Sequence, residues 1–400
     1  MEKKERRILT VTCLGHALTH VYILILAGSL GAITASFGKS ITEITAVATA
    51  GYLLYGLGAF PSGVLAARAG AKRTLQIFYL GSALVAAGIG LSASFTVFSA
   101  GIILLGFFGS LYHVSGLALI SQGIEKRGRA MGLHGIAGSA GIALTPLLAG
   151  ALTSLWGWRP VYLVMAVPGL LGFLFLTLDR TIPAAHAVTP DIGPSGGVPP
   201  QARRMPPVFL VGAAMLVMAL NGLIYRGFMT MLPTYISLRV PIGGVSALVA
   251  GGLVTTLILS FGMIGQFSGG HLSDRRSMIR LYLFCVSASL PFMLLIGLTS
   301  HLPLVLAALG FTLFHFAQQP VENHLLARLM PPRLVSWGYG IKFTLTFGVG
   351  SLAAGLSGWV TDRFGIEHVF LVLAGVIFVS AGLLAGIAWK GRGVNWESNI

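Results

Sequence analysis

Acidic side chains are the scarcest chemistry in this 400-residue sequence. Asp and Glu number 11 against 26 Lys and Arg, and charged residues of both signs make up only 9%. Soluble domains carry roughly a quarter charged residues. A chain this poor in charge, 55% hydrophobic and with a mean hydropathy of +0.86, does not read as a water-soluble globule. Cysteine is nearly absent too: Cys13 and Cys285 are the only two, both in apolar runs. That excludes a disulfide framework and a thiolate metal cluster. No nucleotide-binding loop, nucleophile constellation or metal-hydrolase motif is present. Glycine runs such as GSAG lie inside apolar helical segments with no strand before them, so they are not phosphate loops. The expectation is therefore no enzyme, no cofactor and no resident metal.

What is there is long apolar runs. A helix crossing a bilayer needs ~20 mostly apolar residues. Twelve such stretches are read, at 8–33, 44–67, 74–94, 96–122, 129–155, 160–178, 207–237, 248–272, 279–298, 302–329, 335–360 and 368–389. The fold class is an all-α polytopic membrane protein. The N-terminal MEKKERR leads into an apolar stretch too long for a signal-peptide core, so it reads as a retained first span. Between spans six and seven lies TIPAAHAVTPDIGPSGGVPPQARRMPP, whose prolines, glycines and lack of periodicity mark a linker. The domain reading is a six-helix bundle over 1–178, a cytoplasmic linker over 179–206 and a second six-helix bundle over 207–400.

The net charge of +15 would suggest nucleic acid in a soluble protein. Here the cations sit in short loops. Twenty of the 26 fall on the side that holds both termini and the linker, four (Lys39, Arg159, Arg239, Arg363) on the other, and Arg226 and Lys342 inside spans. The positive-inside rule explains that bias without nucleic acid and puts both termini in the cytoplasm.

The halves repeat. GVLAARAGAKR (63–73) after span 2 echoes GGHLSDRRSMIR (269–280) after span 8. A shift of 208 residues aligns Gly132 with Gly340, Gly150 with Gly358, Gly157 with Gly365 and Val161 with Val369. Two six-helix halves with parallel internal repeats match an architecture of secondary transporters.

These residues carry a resemblance. GVLAARAGAKR resembles the major facilitator superfamily loop signature G-x-L-[AS]-D-R-x-G-x-[KR]-[KR], with Ala67 where the family has aspartate. The second copy keeps Asp274 and Arg275. The resemblance implies that Arg68, Asp274 and Arg275 brace an inner gate. GHALTH in span 1, GSLYHVSGLAL (109–119) in span 4 and the glycine-rich span 5 further resemble the fosmidomycin-resistance branch of drug effluxers. That branch tends to carry H-x-x-N-D and F-H-P-E; here the carboxylates of both motifs are missing. The resemblance also implies a monomer in a bacterial inner membrane. It implies that helices 1, 4, 7 and 10 line a central cavity, with 2, 5, 8 and 11 as its walls.

A charged side chain at mid-bilayer costs about 2.5–3.5 kcal/mol on insertion scales, so each is a functional hypothesis. Among the acids only Glu322 lies well inside a span. Arg226, Lys342, His16, His20, His113, His134 and His315 do so as well, all on lining or wall helices. The repeat places His134 on Lys342 and, with a shift of about 206, His20 on Arg226. Equivalent positions of the halves thus hold basic groups, expected to face one another across the cavity. Arg226 offers a planar fork for an oxyanion. Tyr112, Asn221, Tyr225, Gln318 and Gln319 are expected to orient the substrate, with His16, His20, His113 and His134 as switchable positive charge. His20, His113, His134 and Glu322 are the candidates for proton coupling. Against these stand plainer roles: histidines bonded to neighbouring helices, Arg226 or Glu322 in a structural pair, tyrosines and glutamines as packing.

The function expected is secondary active transport of a small carboxylate or phosphonate-like anion by alternating access, coupled to protons through histidine. The partners expected are that small molecule and the lipid bilayer. The alternatives are multidrug efflux and a transition-metal carrier. His16 and His20, at i and i+4, with His113 or His134 could share a metal ion, but the absence of an offsetting carboxylate or thiolate and the charges of Arg226 and Lys342 oppose it. A sensor or membrane enzyme is the non-transport alternative.

Overall fold

The structure, a computed structural model, describes residues 2–125, 127–182, 208–273, 275–330, 338 and 341–390. It is helical throughout, with no strand among the described residues. The helices are α1 (Lys3–Gly28), α2 (Leu30–Phe37), α3 (Ile41–Leu57), α4 (Ala59–Ala69), α5 (Ala71–Gly90), α6 (Phe95–Gly123), α7 (Arg127–Trp156), α8 (Trp158–Leu178), α9 (Val208–Arg239), α10 (Ala247–Ser273), α11 (Met278–Leu298) and α12 (His301–Leu329). They are followed by α13 (Ile341–Phe364), which contains a π-helical turn at Thr344–Val349, and α14 (Ile366–Lys390).

Ten of these are long and apolar enough to span a membrane, and α3 with α4, bent by 45° at Gly58, makes an eleventh. The twenty-residue α5 falls short of that measure because Lys72, Arg73 and Gln76 occupy its first turns. It occupies the place of the third expected span.

Local sequence explains the boundaries. Ser40 accepts the amide of Glu43 while the Glu43 carboxylate takes the Ser40 amide, a capping box that starts α3. Gly157 (φ 83°) joins α7 to α8 and Gly365 (φ 104°) joins α13 to α14, a left-handed backbone that disfavours any side chain. Gly157 and Gly365 are one of the glycine pairs the 208-residue shift superposes, so the repeat is structural as well as textual.

The contacts group the chain into two compact units, Met1–Asp191 with Leu232–Thr256, and Ile192–Met231 with Leu257–Ile400. In the first, α1 packs on α6 and α7, and α5 on α6 and α8. Small residues allow it: a Cβ at Gly51 would meet the Ile102 carbonyl at 2.8 Å, and one at Gly106 would reach Gly51 Cα at 3.0 Å, so α3 and α6 touch backbone to backbone. The first unit also holds a contact between α7 and α10, where a Cβ on Gly252 would lie 2.9 Å from Leu147 Cα, and Ser154 and Ser246 share a 2.8 Å hydrogen bond. In the second unit α11 packs on α12 and α14, and a Cβ on Gly350 would lie 2.8 Å from the Gly222 carbonyl, bringing α13 onto α9.

Candidate functional site

Within the first unit, α1, α6 and α7 bring four imidazoles together. His16 and His20 are one turn apart on the same face of α1, with ring centroids 5.0 Å apart. The His16 ring stacks on His134 of α7 at 4.0 Å and meets His113 of α6 edge-on at 5.2 Å, while His20 lies 5.5 Å from His113. Room for the His16 ring exists because residue 138 is glycine: a Cβ there would fall 2.6 Å from both ring nitrogens. His134 is buried, whereas His16, His20 and His113 are half-buried.

The hydrogen bonds fix tautomers. His16 Nδ1 lies 2.7 Å from the backbone carbonyl of His134, which can only accept, so Nδ1 carries the proton. The Tyr112 hydroxyl donates to the Thr12 carbonyl. Its oxygen also lies 2.8 Å from His134 Nε2. With its one proton committed to Thr12, Tyr112 accepts there, and His134 carries its proton on Nε2. His113 Nε2 lies 2.7 Å from the Tyr55 hydroxyl. One ligand nitrogen from each of His16, His20 and His113 lies within 4.8 Å of the others.

The second unit assembles the remaining polar residues. Glu322 of α12 and Lys342 of α13 form an ion pair at 3.2 Å, both buried. The Lys342 ammonium also donates to the Asn323 side chain. Asn221 of α9 donates to the Tyr282 hydroxyl at 2.7 Å, and both lie beside the Glu322 carboxylate. Lys342 is thus half of an ion pair held in a four-helix hydrogen-bond network. Arg226, 5% exposed, lies with its guanidinium 5.9 Å from the ring of Tyr225, which is half-buried. Tyr225 stacks on His315 at 6.3 Å, and His315 Nδ1 bonds Gln318 at 2.8 Å. Gln319 accepts from Gln266 of α10 at 3.0 Å.

Sequence reasoning missed Tyr282 and Asn323. Tyr282 sits on the ninth span, where a hydroxyl at the end of an aromatic ring reads as packing. Asn323 adjoins Glu322, and that adjacency was the available signal.

Of the residues expected at a gate, Arg68 and Arg275 are exposed, and Asp274 lies outside the described residues. A separate ionic cluster ties α1 and α5 to the residues that follow α8. Arg7 pairs with Asp179 at 3.0 Å, and Lys72 donates to the carbonyls of Asp179 and Ile182. Burial would raise the Asp179 carboxyl, but hydrogen bonds from the Thr181 hydroxyl and amide and the charge of Arg7 outweigh it and hold the group below the ordinary carboxylate value.

Two helical units of long apolar helices, with titratable groups gathered in their interiors, define a polytopic membrane transporter for a small molecule. The profile of the Major Facilitator Superfamily matches residues 12–354, and the chain belongs to that superfamily. It is a transporter and not an enzyme. The chain is similar to the probable L-galactonate transporter of Escherichia coli (strain K12), 25% identical over 377 residues that cover 88% of this chain and 81% of that protein. It is also similar to the multidrug resistance protein MdtG of Salmonella arizonae, 31% identical over 169 residues, 40% of each chain. Among solved structures it resembles in fold a bacterial homologue of the human lysosomal transporter Spinster in an inward-facing, occupied conformation, with a TM-score of 0.83 at 14% identity over 99% of both chains. A D-xylose-proton symporter gives 0.74 at 13% identity over 96% of this chain and 97% of that one.

Proposed function

We propose that the protein is a secondary transporter of small organic carboxylates of the sugar-acid type, working by alternating access. The observation that carries this reading is the charge of the buried groups: among the described residues of the second unit, the buried charged side chains are Arg226, Lys342 and Glu322, a net of one positive charge. In a low-dielectric interior that surplus favours an anion. The similarity to a probable L-galactonate transporter over 88% of the chain supports the same class, since an aldonate is a carboxylate carrying hydroxyls. Arg226 takes the carboxylate through its planar fork, and Asn221, Tyr225, Gln318 and Gln319 meet the hydroxyls. Lys342 exchanges Glu322 for the substrate carboxylate, and protonation of Glu322 frees it to do so. His20, His113 and His134 are the proton carriers of the first unit.

The 1–178 and 207–400 halves are the moving bundles, Arg68, Asp274 and Arg275 brace the gate, and the protein works as a monomer. It sits in a bacterial inner membrane with both termini in the cytoplasm. The charge bias of the loops and the bacterial relatives support that placement.

Thermal-shift titration with L-galactonate and other aldonates tests the reading. A stabilisation that Arg226→Ala abolishes is expected; no shift with any carboxylate would overturn it. The partial match to MdtG supports a second reading, drug efflux. That reading predicts altered drug susceptibility in a deletion strain and no aldonate shift.

A further inference from the structure

We propose that His16, His20 and His113 form a binding site for one divalent late transition-metal ion of the Zn²⁺ or Co²⁺ class. Three observations converge on it. First, one nitrogen of each of the three imidazoles lies within 4.8 Å of the others. A tetrahedral ion with metal–nitrogen bonds of about 2.0–2.1 Å holds its donors roughly 3.4 Å apart, so small side-chain rotations close the set. Second, the tautomer of His16 is fixed in the form a ligand needs. Its Nδ1–H donates to the His134 carbonyl at 2.7 Å, which leaves the Nε2 lone pair available. Metal-bound histidines characteristically give their other ring N–H to a carbonyl or carboxylate in this way. His113 has an outer partner in Tyr55, whose hydroxyl lies 2.7 Å from its Nε2; in the tautomer that donates to this hydroxyl, Nδ1 is the metal ligand. Third, all three rings are half-buried, so an ion can reach them without unfolding the helices.

The donor set decides the metal. Three neutral nitrogens suit zinc, cobalt, nickel or copper and not the hard oxygen-seeking ions Mg²⁺ and Ca²⁺. No carboxylate belongs to the group. The ion therefore keeps its positive charge and an open position for a water or an anionic oxygen, as three-histidine sites do. A bound ion takes the lone pairs of His20 and His113, so with metal in place His134 and Glu322 are left as the proton carriers; the metal site does not rest on the proposed substrate class.

Chain without a polyhistidine tag, stripped with chelator and purified in detergent, is titrated with Co²⁺ and followed by its visible d–d absorption, then competed with Zn²⁺. One ion per chain is expected. His16→Ala, His20→Ala and His113→Ala should each weaken Co²⁺ by about tenfold or more, since even outer-shell changes cost 10–100-fold. His301→Ala, at an exposed histidine beginning α12, should leave affinity unchanged. Where an alanine variant does not elute as the wild-type species, His20→Asn carries the test. Absence of binding, or binding indifferent to all three histidines, would overturn the proposal. If that happens while the aldonate shift persists, the metal site fails and the anion reading survives.

Discussion

Glu322 and Lys342 form a buried ion pair, Oε1 to Nζ 3.2 Å, that ties α12 to α13 within the second unit. The first unit has a counterpart at the equivalent place. The 208-residue shift lays His134 on Lys342, and His134 too is bonded to the preceding helix, through Tyr112. In both units a basic group on one helix is held by a polar group on the long helix before it, so the repeat extends from backbone to chemistry.

Breaking the Glu322–Lys342 pair from one side leaves a buried charge. Lys342→Met or Glu322→Leu is expected to cost about 3–5 kcal/mol, and the double variant to recover much of it. Thermal melting of the purified variants checks this. A double variant as unstable as the sum of the singles would show that the two groups do not act as a pair. The recovered double variant should still have lost aldonate binding if Lys342 serves the substrate.

Tyr112→Phe removes the hydroxyl that serves both the Thr12 carbonyl and His134 Nε2. The buried His134 Nε2–H loses its partner while the Thr12 carbonyl keeps its helical bond, so a loss of about 1–3 kcal/mol is expected, with the ring packing intact. A melting temperature equal to wild type would mean that water replaces the hydroxyl.

Gly106→Val places a branched side chain where the backbone of Gly51 lies. Neither helix can yield without separating α3 from α6, so the expected outcome is little or no folded protein, read as the monodisperse peak on gel filtration. Gly88→Val, with nothing within 4 Å of a Cβ, is the control and should behave as wild type.

Asp179 gives a pH prediction. Its carboxyl is held below the ordinary value by Thr181 and Arg7, so its contribution is complete above the unfolded carboxylate pKa and lost as pH falls through the lower folded one. Asp179→Asn should therefore lower the melting temperature at neutral pH and narrow the gap to wild type in acid. The half-exposed Arg7 limits the ion pair itself to about 1 kcal/mol or less. A gap independent of pH would remove Asp179 from the acid response.

The sequence alone determined that this is a membrane protein of twelve apolar segments, that its halves repeat, and which superfamily it belongs to. Apolar length, loop charge and glycine spacing are properties of neighbouring residues, and the backbone follows them locally, as Gly157 and Gly365 illustrate. It also picked out the four histidines, because an ionisable ring in an apolar run is costly wherever its helix turns. Tertiary structure decided the rest: that Lys342 is paired with Glu322, that Tyr282 and Asn323 join that network, that Arg7 reaches Asp179, and that three imidazoles converge. Each depends on how helices distant in the chain are rotated against one another. That rotation is set by close contacts such as Gly138 beneath His16, which no single helix encodes.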